Sequence, residues 1–202
     1  MVPLCQPNQA SMFSLTKQEN NGTLSVRPVN KDTDRSVVRE IFRREFYGNT
    51  KTRYPDEGLW EIYDRMETSG AFGAYLVSQY NHILFLLEVH PAVQMDLRGD
   101  YLSAPGTIGI YCFYHSCQET LNLPAVRTCI ASLFNDPSIA CILTTLNHIG
   151  AGDPRTTLLE KSGFRRLSEN TDRNSVYSCT RDSFHYAAAM AASQNEQLAV
   201  HA

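Results

Sequence analysis

Residues 24–29 alternate apolar and polar positions and 72–79 and 83–89 are short apolar-rich runs, while apolar residues recur with a period near 3.6 along 34–46, 57–67 and 124–134. The first two patterns predict strands and the third predicts helices with one apolar stripe. In chain order this gives a first strand at 24–29 and a helix at 34–46 capped by Asp32 and Thr33, with Val37, Val38, Ile41, Phe42 and Phe46 on one side. A loop over 47–56 follows, then a short helix at 57–67 in which Trp60, the single tryptophan, packs against a sheet. The strands at 72–79 and 83–89 flank Tyr80-Asn81-His82 and read as an antiparallel hairpin.

The middle of the chain changes pattern. Residues 107–115 are apolar, β-branched and aromatic, and a helix opens at Pro124 with Asn122 as its cap. A second β-rich run covers 139–146. Strand, helix and strand in that order make a βαβ unit whose strands are parallel neighbours joined by a right-handed crossover. Asp153-Pro154 starts a helix over 155–162, and Gly163 ends it in a left-handed conformation. A strand from Arg165, a turn at 169–174 and a strand at 175–180 come next. The alanine-rich segment 183–197 is a terminal helix whose Ala and Met content suits packing on a partner subunit. The fold class is therefore α/β (α+β): a mixed central sheet, antiparallel in its N-terminal half with one parallel pair, and helices on both faces. The expected organisation is a polar arm over 1–22, one domain over 23–182 and a helical tail over 183–202.

Composition narrows the function classes. With 202 residues, 43% of them hydrophobic, the chain suffices for one domain with a core. A net charge of −3 and scattered Lys and Arg speak against nucleic acid. The basic cluster at 39–44 is interleaved with Glu40 and so reads as a solvated helix face. Cys112, Cys129 and Cys141 fall at apolar positions of strands and a helix, which suits buried free thiols in a reducing cytoplasm, and the cysteine spacing offers no metal knuckle. No segment has the length to cross a membrane as a helix or the pattern of an export signal.

Candidate chemistry gathers on two strands. Strand alternation puts Glu88 and His90 on one face, where a carboxylate raises the basicity of an imidazole that titrates near neutral pH. On the strand at 107–115, Tyr111, Phe113 and His115 share one face while Ile110, Cys112 and Tyr114 take the other. If the two strands pair, Tyr111 stands close to Glu88 and His90, and its phenol can protonate a leaving group. Ligands of open α/β sheets sit beyond the carboxyl ends of the strands, facing helix N-termini. Here those places are residues 116–123, with Asn122, and the edge carrying Asn147, His148 and Arg155.

The order of segments and the phrase LLEKSGFRRL at 158–167 resemble the last third of the GNAT acyltransferase superfamily. Within it, LEVHPAVQMD, GTIGIYCF, SLFNDPSIACILTTLN and LLEKSGF resemble the acyltransferases of hydroxamate siderophore assembly. The resemblance implies acyl-CoA (acetyl-CoA) or a phosphopantetheinyl carrier protein as donor, a small-molecule amine or hydroxylamine as acceptor, no metal, and a monomer or homodimer in the cytoplasm. With such chemistry, the strand faces make Glu88, His90 and Tyr111 the candidate catalytic residues, and Cys112, Phe113, His115, Asn122, Asn147 and Arg155 the candidate donor contacts. The sequence departs from the family at three places. Residues 116–123 hold no glycine where the pyrophosphate loop is glycine-rich, and they include Glu119. Thr107 and Tyr111 stand where the siderophore branch has an acid and a histidine, and Leu159 stands where the superfamily often has a tyrosine. These departures suit a second reading, a GNAT-fold binding or regulatory protein without turnover.

Overall fold

The structure, a computed structural model, describes residues 15–19, 22–30, 32–43, 73–80, 82–91, 105–115, 118–147, 152–169 and 174–200. The expected loop at 47–56, the helix at 57–67 with Trp60, and His148 lie outside them. The described elements are β1 (Leu15–Glu19), β2 (Gly22–Pro28), α1 (Arg35–Phe42), β3 (Gly73–Gln79), β4 (His82–Pro91), β5 (Thr107–Tyr114), α2 (Glu119–Phe134), β6 (Cys141–Asn147), α3 (Pro154–Lys161), β7 (Arg165–Glu169), β8 (Asn174–Thr180) and α4 (Arg181–Val200). The chain forms two compact units, one of residues 1–90 and 111–116, the other of 91–110 and 117–202.

In the first unit, neighbouring strands run β1-β2-β3-β4-β5. β1 and β2, β2 and β3, and β3 and β4 pair antiparallel. β1 lies in the segment expected to be an arm. Leu15–Glu19 pairs with Val26–Gly22 of the strand that directly follows it, a ladder that the segment's own side chains do not announce by any apolar period. Ser78 faces Ile83 but Val77 faces Phe85, so β4 carries one extra residue, Leu84, at a bulge. Simple alternation would send Ile83 and Leu86 to opposite faces; the bulge turns both toward α1. There Val38, Ile41, Phe42, Leu76 and Leu86 form the core, with Ile83, Ala74 and Phe113 against it.

α1 begins one residue later than expected and its cap is Asp34, not Asp32 or Thr33. The Asp34 carboxylate caps no helix N–H. It accepts instead from Arg27 Nη2 at 2.7 Å and from the Asn30 N–H at 2.7 Å, tying the end of β2 to the start of α1. The Arg27 hydrogen bonds outweigh the opposing effect of burial and hold Asp34 below the usual carboxylate range.

In the second unit the order is β5-β6-β8-β7. β5 and β6 are parallel over Thr107↔Cys141 to Gly109↔Leu143, as the strand-helix-strand pattern predicts. β8 pairs antiparallel with β6 and with β7. Gly106 has φ +74, and a side chain there would collide with the Ser138 carbonyl, so glycine is required at the turn into β5. α3 starts as its sequence signals indicate: Asp153 accepts from the Arg155 N–H at 2.9 Å and Pro154 takes the first position. Gly163 ends it with φ +92. Arg181, at the head of α4, donates to the carbonyls of Ile139 (3.1 Å), Asp136 (2.5 Å) and Phe134, closing the C-terminal end of α2.

Candidate functional site

Glu88 and His90 are two residues apart on β4, and a strand places such residues on one face. Both are buried, at 6% and 2% exposure, and Glu88 Oε2 lies 3.3 Å from His90 Nε2. Directly across from Glu88 on β3 stands Ala74, whose small side chain leaves the carboxyl room. Burial pushes the Glu88 carboxyl above its ordinary value, against a smaller opposing pull from the hydrogen bond and charge of His90. A carboxylate raised in this way is a better proton acceptor near neutral pH than an exposed one.

The face continues across β5. The ring of Tyr111 meets that of His90 edge-on, with centroids 5.3 Å apart. Phe113 follows at 6.0 Å from Tyr111 and itself packs edge-on against Phe42 of α1 at 5.3 Å. Acid, imidazole, phenol and two phenyl rings thus form one continuous row in the first unit, polar at one end and anchored in the core at the other. Beyond Gly109 the register of β5 with β6 stops, and His115 at the other end of β5 donates its N–H to the Leu84 carbonyl, the bulge residue of β4. The phase of β4 that aims Glu88 and His90 and the attachment of β5 therefore meet at one residue.

The remaining candidates divide. Cys112 lies on the opposite side of β5, and burial pushes its thiol up to about 12, against a weaker hydrogen bond with Tyr114; such a thiol is no nucleophile at neutral pH. Phe113 is a core aromatic, and His115 sits half-buried at the bend that ends β5. Asn122 is not a cap. α2 starts at Glu119 with Gln118 as its N-cap residue, Pro124 lies inside it, and Asn122 is fully buried in its second turn. Residues 119–123 are therefore helix rather than loop, with Glu119 in the first turn where the helix dipole favours an acid, paired to Lys161 of α3. Asn147 is the last residue of β6, opposite Asn174. Arg155 is buried at 9% exposure, and its guanidinium is held by Asp153, with Nη2 to Oδ2 at 2.6 Å. Leu159 is buried as well, at 3% exposure.

The bulge at Leu84 and the hold of Asp153 on Arg155 have no counterpart in the sequence reading. The second had a signal, since an acid at the N-cap two residues before a basic side chain can bind both its N–H and its guanidinium.

No family model matches the chain, and no curated protein is similar to it in sequence. Its fold does match solved structures. An uncharacterized protein (bh2621) from Bacillus halodurans superposes with TM-score 0.71 at 14% identity, covering 87% of this chain and 94% of that one. The aminoglycoside acetyltransferase AAC(6')-Ib, solved with coenzyme A and kanamycin, gives 0.62 at 19% identity over 81% and 98%. FdhC, a nucleotide-linked sugar GNAT, gives 0.62 at 11% identity over 89% and 98%. The architecture is the GNAT fold, and at these identities it is the fold that is shared.

Proposed function

We propose that the protein is an N-acyltransferase that moves an acyl group from a thioester to a small-molecule amine or hydroxylamine. The observation that carries the reading is the buried Glu88–His90 pair facing Tyr111, on a fold whose solved examples include acetyltransferases holding coenzyme A. In this reading the acceptor nitrogen attacks the thioester carbonyl carbon. Its proton passes to the Glu88–His90 pair, the carbon–sulfur bond breaks, and the Tyr111 phenol delivers a proton to the departing thiolate. Peptide N–H groups of β5 beyond Gly109 stabilise the oxyanion. The thiol of Cys112 stays outside the chemistry.

The donor is acetyl-CoA or another acyl-CoA. A phosphopantetheinyl carrier protein is the finer alternative, because residues 116–123 hold no glycine where a pyrophosphate loop would be glycine-rich and a docked carrier needs no such loop. A place in siderophore or other secondary-metabolite assembly, in the cytoplasm, follows from the sequence resemblance. The second reading, a binding or regulatory protein without turnover, is favoured by the same stretch and by Leu159.

The test is calorimetric titration with acetyl-CoA, together with thiol release assayed over a panel of amines and hydroxylamines, for the wild type and Glu88→Gln. Turnover by the wild type that falls in the variant supports the transferase. Binding without turnover over the whole panel supports the second reading, and neither binding nor turnover with acetyl-CoA or an acylated carrier removes both.

A further inference from the structure

In the acyl-transfer reading the Tyr111 phenol delivers a proton to one departing atom, yet its ring on β5 is only partly buried. A tyrosine side chain turns about two torsions, so packing against its ring must fix its aim. Two rings do so. That of His90 meets it edge-on at 81°, with centroids 5.3 Å apart. That of Phe113, two residues on along the same strand face, lies at 32° with centroids 6.0 Å apart.

Phe113 is set in turn from α1. Phe42, the last residue of that helix, is buried, and its ring stands at 81° to that of Phe113 with centroids 5.3 Å apart. It belongs to the core of Val38, Ile41, Leu76 and Leu86, against which Phe113 packs. The far end of α1 is pinned to β2, since Asp34 accepts from Arg27 and from the Asn30 N–H. Core and site are therefore joined by an unbroken chain of rings, Phe42 to Phe113 to Tyr111 to His90. Burial alone does not call for phenylalanine at position 42, because an aliphatic side chain would fill most of that space. What it would not supply is the edge-on contact that selects one orientation of Phe113, worth a factor of about ten beyond burial.

We infer that Phe42 is a positioning residue: acting through Phe113, it sets the angle of the Tyr111 phenol to His90. What that angle does rests on the acyl-transfer reading, in which a phenol out of line leaves the thiolate to depart without its proton. Phe42 acts at second hand, with two rings between it and the imidazole. Val38 and Ile41 share its helix and its core but carry no ring, so they separate a general loosening of α1 from a loss of aim.

The test compares two donors. Acetyl-CoA releases an alkyl thiolate, which needs a proton as the carbon–sulfur bond breaks, whereas the acetyl thioester of thiophenol releases an aryl thiolate that leaves without one. Phe42→Leu should lower kcat with acetyl-CoA about tenfold, with KM and the aryl thioester rate each within about twofold of wild type. Tyr111→Phe should show the same pattern with a loss of about 100-fold, and adding Phe42→Leu to it should cost nothing more. Val38→Ala, one turn earlier in the same core, should lower the melting temperature and change both donors in equal proportion. Fluorine NMR of the chain labelled with meta-fluorotyrosine reads the aim without turnover: the Tyr111 signal, assigned by its loss in Tyr111→Phe, should shift in Phe42→Leu and stay in place in Val38→Ala. If Phe42→Leu melts too low to assay, Phe42→Met, also ringless, makes the same comparison. An equal loss with both donors, or a Tyr111 signal unmoved by either Phe42 variant, overturns the inference. A wild type without turnover on any donor and amine removes the acyl-transfer reading instead, and the fluorine signal then decides by itself whether Phe42 sets the Tyr111 ring.

Discussion

Two acid–base pairs in this protein have the same spacing and opposite character. Glu88 and His90 lie two apart on a strand, and Asp153 and Arg155 two apart at a helix start. In the first pair burial dominates and the carboxyl is pushed up, since a 3.3 Å contact with one imidazole nitrogen compensates little of the lost hydration. In the second, burial pushes the same way, but the Arg155 side chain, its backbone N–H and its charge together outweigh it and hold Asp153 below the usual range. The lesson is that hydrogen-bond count decides. A carboxylate gripped by a guanidinium fork and a backbone N–H is structural, whereas one buried with a single partner among the described residues keeps a proton equilibrium available for chemistry.

The largest effect should come from breaking the first pair. Glu88→Gln should lower the rate of acyl transfer about 100-fold or more, the range of a lost general base, measured as thiol release at saturating donor. A variant within a factor of two of wild type would take Glu88 out of the mechanism.

The stability profiles sharpen the contrast next. A carboxyl raised by folding contributes stability while protonated, fully present below its unfolded value and lost as pH rises through the folded one. The Glu88→Gln protein should lack that decline between acid and neutral pH in thermal melts. Asp153 has the reverse sign: its contribution is present above the ordinary carboxylate value and disappears as pH falls through its lowered folded value. Asp153→Ala should cost about 1 to 3 kcal/mol at neutral pH, from the lost cap and the unpaired Arg155, with the deficit shrinking in acid.

Smaller still is the expected effect on donor binding of Arg155→Lys. If the guanidinium serves Asp153 rather than the donor, the KM for acetyl-CoA should stay within about twofold while melting temperature drops. A large rise in KM with unchanged stability would return Arg155 to the donor site. Cys112→Ala should change turnover least of all, because a thiol held at about 12 is protonated throughout the working range.

Where the determinants are local, the chain could be read directly. The hairpin of β3 and β4 lies within a few residues of its predicted ends, and β5 and β6 are parallel as the run of strand, helix and strand implied. α3 begins at Asp153-Pro154 and ends at Gly163 because both signals are backbone requirements of single residues. The shared face of Glu88 and His90 follows from the two-residue repeat of any strand, and Tyr111 stands by His90 once β4 and β5 are neighbours.

Elsewhere distant partners decided. α2 extends five residues ahead of Pro124, to Glu119, with Asn122 buried and Glu119 held by Lys161 from 42 positions away. The bulge at Leu84 sets which face of β4 meets α1, and Asp153 holds the guanidinium of Arg155. By itself the sequence determined the strand and helix periods, the caps and the glycine stops, which depend on neighbours a few residues apart. The tertiary structure alone decided which carboxylate is raised by desolvation and which is gripped, because hydration and hydrogen-bond count depend on what the fold packs around each group.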